Sequence, residues 1–221
     1  MKGNSMKHYK YLLWDLDGTI VNTFEGITKS FAYALDSFGI KVNDLNELSC
    51  VIGPPLLDAF IDFYGFSEED AHKGVEKYRE RYNNTYVGES ALYDGIKETI
   101  QNLSRLGYKH VLATAKPQHF AEGLLSHYGL IDEFHLVVGA TLDKSRNNKI
   151  KVLEHIISTL GESDMSKMVM IGDREFDLLG ADHFGIEAIG VLYGFGSYEE
   201  LSSSPNIFLA KDAKDLYNYL K

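Results

Sequence analysis

The chain has 221 residues, 44% of them hydrophobic, with 14 Tyr and 12 Phe, enough for one large domain or one domain carrying an insert. Its formal net charge of -10 excludes nucleic acid as the main partner, because phosphate backbones need clustered Lys and Arg. A small phosphate ester stays open, since a bound divalent ion and a few local cations set the field at one site. The single cysteine, Cys50, forbids an internal disulfide and is expected as a small buried apolar residue in a reducing compartment. No stretch reads as a bilayer span or a signal peptide, so the expected location is cytoplasmic with no membrane partner.

Met1 to Ser5 read as a leader outside the fold, and residues 9–14 as a first strand. Helical periodicity then takes over: Ile27, Phe31, Leu35 and Phe38 share a face that Gly39 ends. Asp44 with Glu47 reads as a capping box. Pro54 and Pro55 suit the first turn of a helix running through Leu57, Phe60 and Tyr64 to Gly65. Ser67, followed by Glu68, Glu69 and Asp70, opens another helix that reaches about Tyr86. After Gly88 helices and strands alternate. Asp94 is expected to cap a helix ending near Leu106; Val111–Thr114 is a strand end; Pro117 begins a helix; Phe134–Val138 is a strand; Ile150–Leu160 a helix; Met168–Gly172 a strand. Phe176–Phe184 then reads as a helix, Ile186–Val191 as a strand, Ile207–Leu209 as a short edge and Leu216–Leu220 as a last helix. Such alternation predicts an α/β fold with a doubly wound, Rossmann-like parallel sheet. The expected division is a core of residues 1–20 plus 91–221 with a helical cap, residues 21–90, inserted after the first strand.

Two strand ends carry the chemistry. Asp15-Leu16-Asp17-Gly18-Thr19 follows the apolar run Tyr11–Trp14, and Gly172-Asp173-Arg174-Glu175-Phe176-Asp177 follows Met168–Ile171. In open parallel sheets the site lies outside the carboxyl ends of the strands. Aspartates converging there raise one another's pKa unless a cation neutralises them, and hard carboxylate oxygens suit magnesium. The pattern points to a Mg2+ site with a spare carboxylate, a phosphoryl-transfer design.

A buried strand followed by Asp-x-Asp-Gly-Thr resembles the first motif of the haloacid dehalogenase superfamily, and the remaining motifs appear in order over nearly the whole chain. Within it the chain is similar to the phosphoglycolate phosphatase-like group. The resemblance implies a Mg2+-dependent phosphatase that hydrolyses a small phosphorylated metabolite through an aspartyl-phosphate. Asp15 is then the nucleophile and Asp17 the general acid and base. Gly18 permits the turn that turns the Asp17 carbonyl to the metal, and Thr19 bonds within that turn. Asp15, Asp17 and Asp173 are the implied metal ligands. Asp177, one helical turn on, is implied to hold a metal-bound water or to steady a lysine. Thr114 and the amides after it are implied to hold phosphoryl oxygens. Ala115 stands where the family usually has Asn; Lys116 and Pro117 follow, as in the phosphoglycolate phosphatase-like group. The lysine that pairs with the phosphoryl group is Lys149 rather than Lys144, because Lys149 opens an amphipathic helix. Gly53, in the turn Gly53-Pro54-Pro55, is placed over the mouth of the site, where the family's cap loop selects substrate. Arg174 and Glu175 are expected to be exposed, and the cap aromatics, including Tyr78 and Tyr82, to serve packing. Phosphoglycolate, a nucleoside monophosphate, a sugar phosphate, pyrophosphate and phosphotyrosine remain open as substrates. A phosphomutase similar to beta-phosphoglucomutase is the alternative enzyme, and a receiver-like phospho-binding module the non-enzyme alternative. The oligomeric state is not legible.

Overall fold

The computed structural model describes residues 9–141, 143 and 145–221; the Met1–Ser5 leader and Lys144 lie outside them. In chain order the elements are β1 (Tyr11–Trp14), β2 (Val21–Asn22), α1 (Phe24–Asp36), a 3₁₀ helix (Leu45–Val51), α2 (Leu56–Tyr64), α3 (Glu68–Thr85) and β3 (Ala91–Leu92). There follow α4 (Ile96–Arg105), β4 (Lys109–Pro117), α5 (Gln118–His127), β5 (Phe134–Ala140), α6 (Lys149–Leu160), β6 (Met168–Gly172), α7 (Glu175–Asp182), β7 (Glu187–Val191), α8 (Tyr198–Ser203), β8 (Phe208–Ala210) and α9 (Ala213–Leu220).

Six strands form one parallel sheet in the order β5-β4-β1-β6-β7-β8, the doubly wound arrangement expected. β1 lies central, with Trp14 in register with Leu112 on one side and Ile171 on the other. All four β1 residues are buried, because alternate side chains feed two cores. Leu12 and Trp14 pack with Ile96, Ile100 and Leu124 of α4 and α5 on one face. Tyr11 and Leu13 pack with Val152, Leu153 and Leu178 of α6 and α7 on the other. The chain moves outward from β1 through β4 to β5, then returns to β6 on the opposite side of β1. That reversal opens a crevice at the ends of β1, β4 and β6.

A third cluster belongs to the helical segment between β2 and β3: Phe31, Leu35, Leu48, Phe60, Tyr78 and Tyr82 interlock, joined by Phe120 of α5. The two-residue antiparallel pair β2–β3 joins both ends of this segment to the rest. Ser67 caps α3 as expected, its hydroxyl accepting from the Asp70 N–H at 3.1 Å.

Several local readings change. Asp44 accepts from the Asn46 N–H and opens a 3₁₀ turn, so no box with Glu47 forms. Cys50 lies exposed on that turn, which buries Leu48 and Val51 instead. Both prolines precede α2, with Pro55 as its extended N-cap. Gly95, not Asp94, is the residue that precedes α4, and it makes no side-chain cap. β4 continues to Pro117, which pairs with Ala140 across a register shift, so the helix starts one residue later. α8 was not foreseen; six residues with only Leu201 buried are too short to show a period.

Candidate active site

The β1 ladder extends one step past its last residue: the Asp15 N–H donates to the Ile171 carbonyl at 2.9 Å. The chain then folds back, with the Gly18 N–H on the Val21 carbonyl at 2.9 Å. Gly18 is required twice here. Its φ is +81°, and a Cβ would stand 2.0 Å from Asp173 Oδ2. That close approach brings the two strand-end motifs together.

Asp173 is fully buried. Thr19 Oγ1 donates to its Oδ1 at 3.1 Å and the Phe195 N–H to its Oδ2 at 2.8 Å. Burial first, then the charges of Asp177 and Asp15, hold its carboxyl well above the usual range. Asp177, in the first turn of α7, is 1% exposed. Its Oδ2 accepts from the Arg174 N–H at 3.2 Å. Its Oδ1 lies 2.6 Å from Lys149 Nζ, an electrostatic pair rather than an aligned hydrogen bond. Burial pushes the Asp177 carboxyl up to about 6; Lys149 opposes this and Asp15 adds to it.

Lys149 is the first residue of α6, whose start is capped by Asn148 accepting from the Lys151 N–H at 3.0 Å. From there Nζ reaches Asp15 Oδ1 at 2.9 Å and the Ala113 carbonyl at 2.6 Å. Burial alone disfavours the ammonium, yet Asp15 and Asp177 outweigh it and raise its pKa.

Asp17 faces a different cation. Lys116 Nζ donates to Asp17 Oδ1 at 3.0 Å and Oδ2 at 3.1 Å, and to the Tyr82 hydroxyl of α3 at 2.6 Å. Thr23 Oγ1 adds a bond to Asp17 Oδ1 at 2.7 Å. Thr114 is buried at the end of the regular β4 pairing, and its hydroxyl accepts from the Lys116 N–H at 3.2 Å. Lys116, expected beside substrate, lines the site but is already paired with Asp17.

A cleft of about 500 Å³ opens over these groups, between the strand ends and the helical segment. Asp15, Asp17, Thr114, Ala115, Lys116, Lys149 and Asp177 lie along its floor. Ile27, Tyr78, Tyr82, Phe120 and Phe195 supply apolar wall, and Gly53 and Pro54 stand in its rim. Sequence reasoning missed several participants, among them Thr23 on Asp17 and the Phe195 N–H on Asp173. Arg174 is half-buried, bonded to Ile52 and Glu200, rather than exposed. Tyr82 packs as expected but also holds Lys116.

Oxygens of Asp15, Asp173 and Asp177 lie within 4.8 Å of one another. Asp15 and Asp177 share the ammonium of Lys149 and Asp173 lies beside them, which leaves an excess of negative charge. A hard divalent cation balances that excess, and the all-oxygen donor set fits it. All three carboxylates already have protein partners, so an ion would share Asp15 and Asp177 with Lys149 and Asp173 with Thr19 and the Phe195 N–H.

A doubly wound sheet with aspartates gathered at its switch point defines the class of this protein. The family model of haloacid dehalogenase-like hydrolases matches residues 12–191, and the chain belongs to that family. It is 42% identical over 193 residues, 87% of each chain, to a 5'-nucleotidase of Pseudomonas aeruginosa. It is 32% identical over 185 residues to the tyrosine-protein kinase PtkA of Mycobacterium tuberculosis, spanning 84% of this chain and 62% of that one. A crystal structure of a predicted phosphatase from Clostridium acetobutylicum superposes with a TM-score of 0.92 at 38% identity, covering 96% of this chain and 98% of the other. Among the described residues no helix is long and apolar enough to cross a membrane.

Proposed function

We propose that the chain is a Mg2+-dependent phosphatase that hydrolyses a small phosphate monoester through an aspartyl-phosphate on Asp15. The observation that carries the reading is the position of Asp15: on the cleft floor at the end of β1, with Lys149 at 2.9 Å and Asp17 two residues on. Asp15 attacks phosphorus as the ester P–O bond breaks, and Asp17 gives its proton to the leaving alkoxide. Water then attacks the same phosphorus, its proton passes to Asp17, and the bond to Asp15 breaks to free phosphate. For the first step Asp17 must carry a proton, so its double contact with Lys116 has to loosen as substrate enters. Lys149 offsets repulsion between Asp15 and the incoming dianion, while Asp177 keeps Lys149 in place. Thr114 and the amides after it hold phosphoryl oxygens, and Ala115 leaves that wall without the amide the family usually has. Asp15, Asp173 and the Asp17 carbonyl would hold Mg2+, which when bound supplies charge stabilisation to the transferring group.

The helical segment 21–90 is read as a cap on the core, with Gly53 in its substrate-facing loop. The cleft favours a nucleoside monophosphate over phosphoglycolate as substrate. It is larger than a two-carbon leaving group needs, and its wall is aromatic. The 5'-nucleotidase relative supports the same choice. The single cysteine and acidic charge fit a cytoplasmic setting. A phosphate-release screen with Mg2+ over nucleoside monophosphates, phosphoglycolate, sugar phosphates and pyrophosphate, ranked by kcat/KM, tests the reading. Nucleoside monophosphates are expected to rank first; release from no monoester would refute it, and isomerised sugar phosphate without free phosphate would make the enzyme a mutase.

A further inference from the structure

Arg174 stands between Asp173 and Asp177 in sequence, yet its side chain balances neither. Its main-chain N–H caps Asp177, while its side chain leaves the strand ends and runs to the helical segment. Nη1 donates to the Ile52 carbonyl, and Nε donates to Glu200 Oε1 of α8 at 2.8 Å. Glu200 Oε1 also accepts from the Glu175 N–H at 2.9 Å, which fixes the carboxylate that aims the guanidinium. The guanidinium carbon lies 5.6 Å from the centre of the Phe176 ring. Opposite, Gly53 has φ +111°, and a Cβ there would stand 2.9 Å from Nη1. A side chain at this position would be strained by the backbone and would press on the guanidinium where it meets the Ile52 carbonyl. Ile52, 1% exposed, is anchored in the aromatic cluster of the helical segment, and Ile52, Gly53 and Arg174 all face the cleft.

We propose that Arg174 is a positioning residue, a strap that ties the Ile52–Gly53 loop to the loop bearing Asp173 and Asp177 and so sets how the cleft rim meets the leaving group. A planar guanidinium with five donors serves two acceptors on separate elements at once; a lysine ammonium on a flexible stem does not hold that geometry. The strap can also be cut cleanly, because the main-chain N–H that caps Asp177 survives any side-chain replacement. Its effect on turnover rests on the phosphatase reading; the strap itself does not.

The test compares wild type with Arg174→Ala, Arg174→Lys and Glu200→Gln. Amide hydrogen exchange at Val51, Ile52, Gly53 and Leu56 is read beside kcat and KM for uridine monophosphate and methyl phosphate in Mg2+. Loss of charge-assisted bonds predicts about tenfold faster exchange in Arg174→Ala, and about tenfold higher KM for the nucleotide with kcat changed less than about threefold. The preference for the nucleotide over methyl phosphate shrinks by the same factor, and Arg174→Lys restores only part of it. Exchange unchanged in both Arg174→Ala and Glu200→Gln overturns the strap. So does an equal loss of kcat for both esters, which would put Arg174 in the carboxylate machinery. If wild type releases phosphate from neither ester, the choice of a nucleotide substrate falls and the exchange result alone decides the strap. Should Arg174→Ala fail to fold, Glu200→Gln, which removes the carboxylate charge that aims the guanidinium and leaves the arginine in place, decides by the same readouts.

Discussion

Lys149 and Lys116 are both buried, both within hydrogen-bond distance of an aspartate in the β1 loop, and differ in what else they hold. The other partners of Lys149, Asp177 and the Ala113 carbonyl, belong to the sheet and its helices. Lys116 instead spans from Asp17 to the Tyr82 hydroxyl on α3. The electrostatics of Asp15, the proposed nucleophile, are thus set by elements that pack as one core, whereas those of Asp17, the proposed acid and base, depend on where the helical segment sits. A change beside Lys149 should therefore act on every substrate alike, and one beside Lys116 chiefly on substrates whose leaving group needs a proton.

Removing the metal should break the Lys149 side most completely. With Asp15, Asp173 and Asp177 clustered and only Asp15 and Asp177 paired with Lys149, chelation is expected to abolish phosphate release and Mg2+ to restore it, with excess calcium inhibiting because it takes more ligands at longer distances. Full turnover in chelator would show that Lys149 alone balances the cluster. Next in size, Lys149→Ala should lower kcat/KM by roughly 3 kcal/mol for good and poor leaving groups alike. A loss confined to poor leaving groups would exchange the roles of the two lysines.

A third experiment disturbs the floor beneath both lysines. β1 and β4 are pinned by Trp14 Nε1 donating to His110 Nδ1 at 2.9 Å, while His110 Nε2 lies 3.0 Å from the Ile100 carbonyl, to which it donates. Burial lowers the imidazole to about 4. Between that value and the ordinary one near 6.5, the unfolded chain binds a proton that the folded chain refuses. Stability should therefore fall as pH drops below about 6.5 and stop falling on this account near 4, a loss of at most about 3 kcal/mol. Denaturant melts of wild type and His110→Asn across that window check it; the variant should lack this share of the slope. The smallest effect expected is that of Tyr82→Phe. Losing one hydrogen bond to Lys116 should cost about 1 kcal/mol in kcat/KM for an alkyl ester and less for an activated aryl ester. Equal losses would mean that Tyr82 does not act through Asp17.

The same division explains what was legible in the sequence. Asp15 and Asp173 were readable because each follows a run of buried strand residues, and a parallel sheet brings such ends together. Lys149 was readable because it opens a periodic helix. The tie between Lys116 and Tyr82 joins residues 34 positions apart across two elements, and an amphipathic helix looks the same whether its tyrosine only packs or also accepts a hydrogen bond. Arg174 looked exposed beside its acidic neighbours because its partners, Ile52 and Glu200, come from a loop and from a helix too short to show a period. Cys50 looked like a core residue by type, and the 3₁₀ turn carried it to the surface.

The most direct test of the central claim is phosphate release by wild type and Asp15→Asn from the best monoester, in Mg2+, with folding checked by circular dichroism. The account predicts a loss of about a thousandfold or more, since the asparagine keeps the shape of the site and removes the attacking oxygen's charge. A folded Asp15→Asn enzyme that retains a large fraction of wild-type turnover would contradict it.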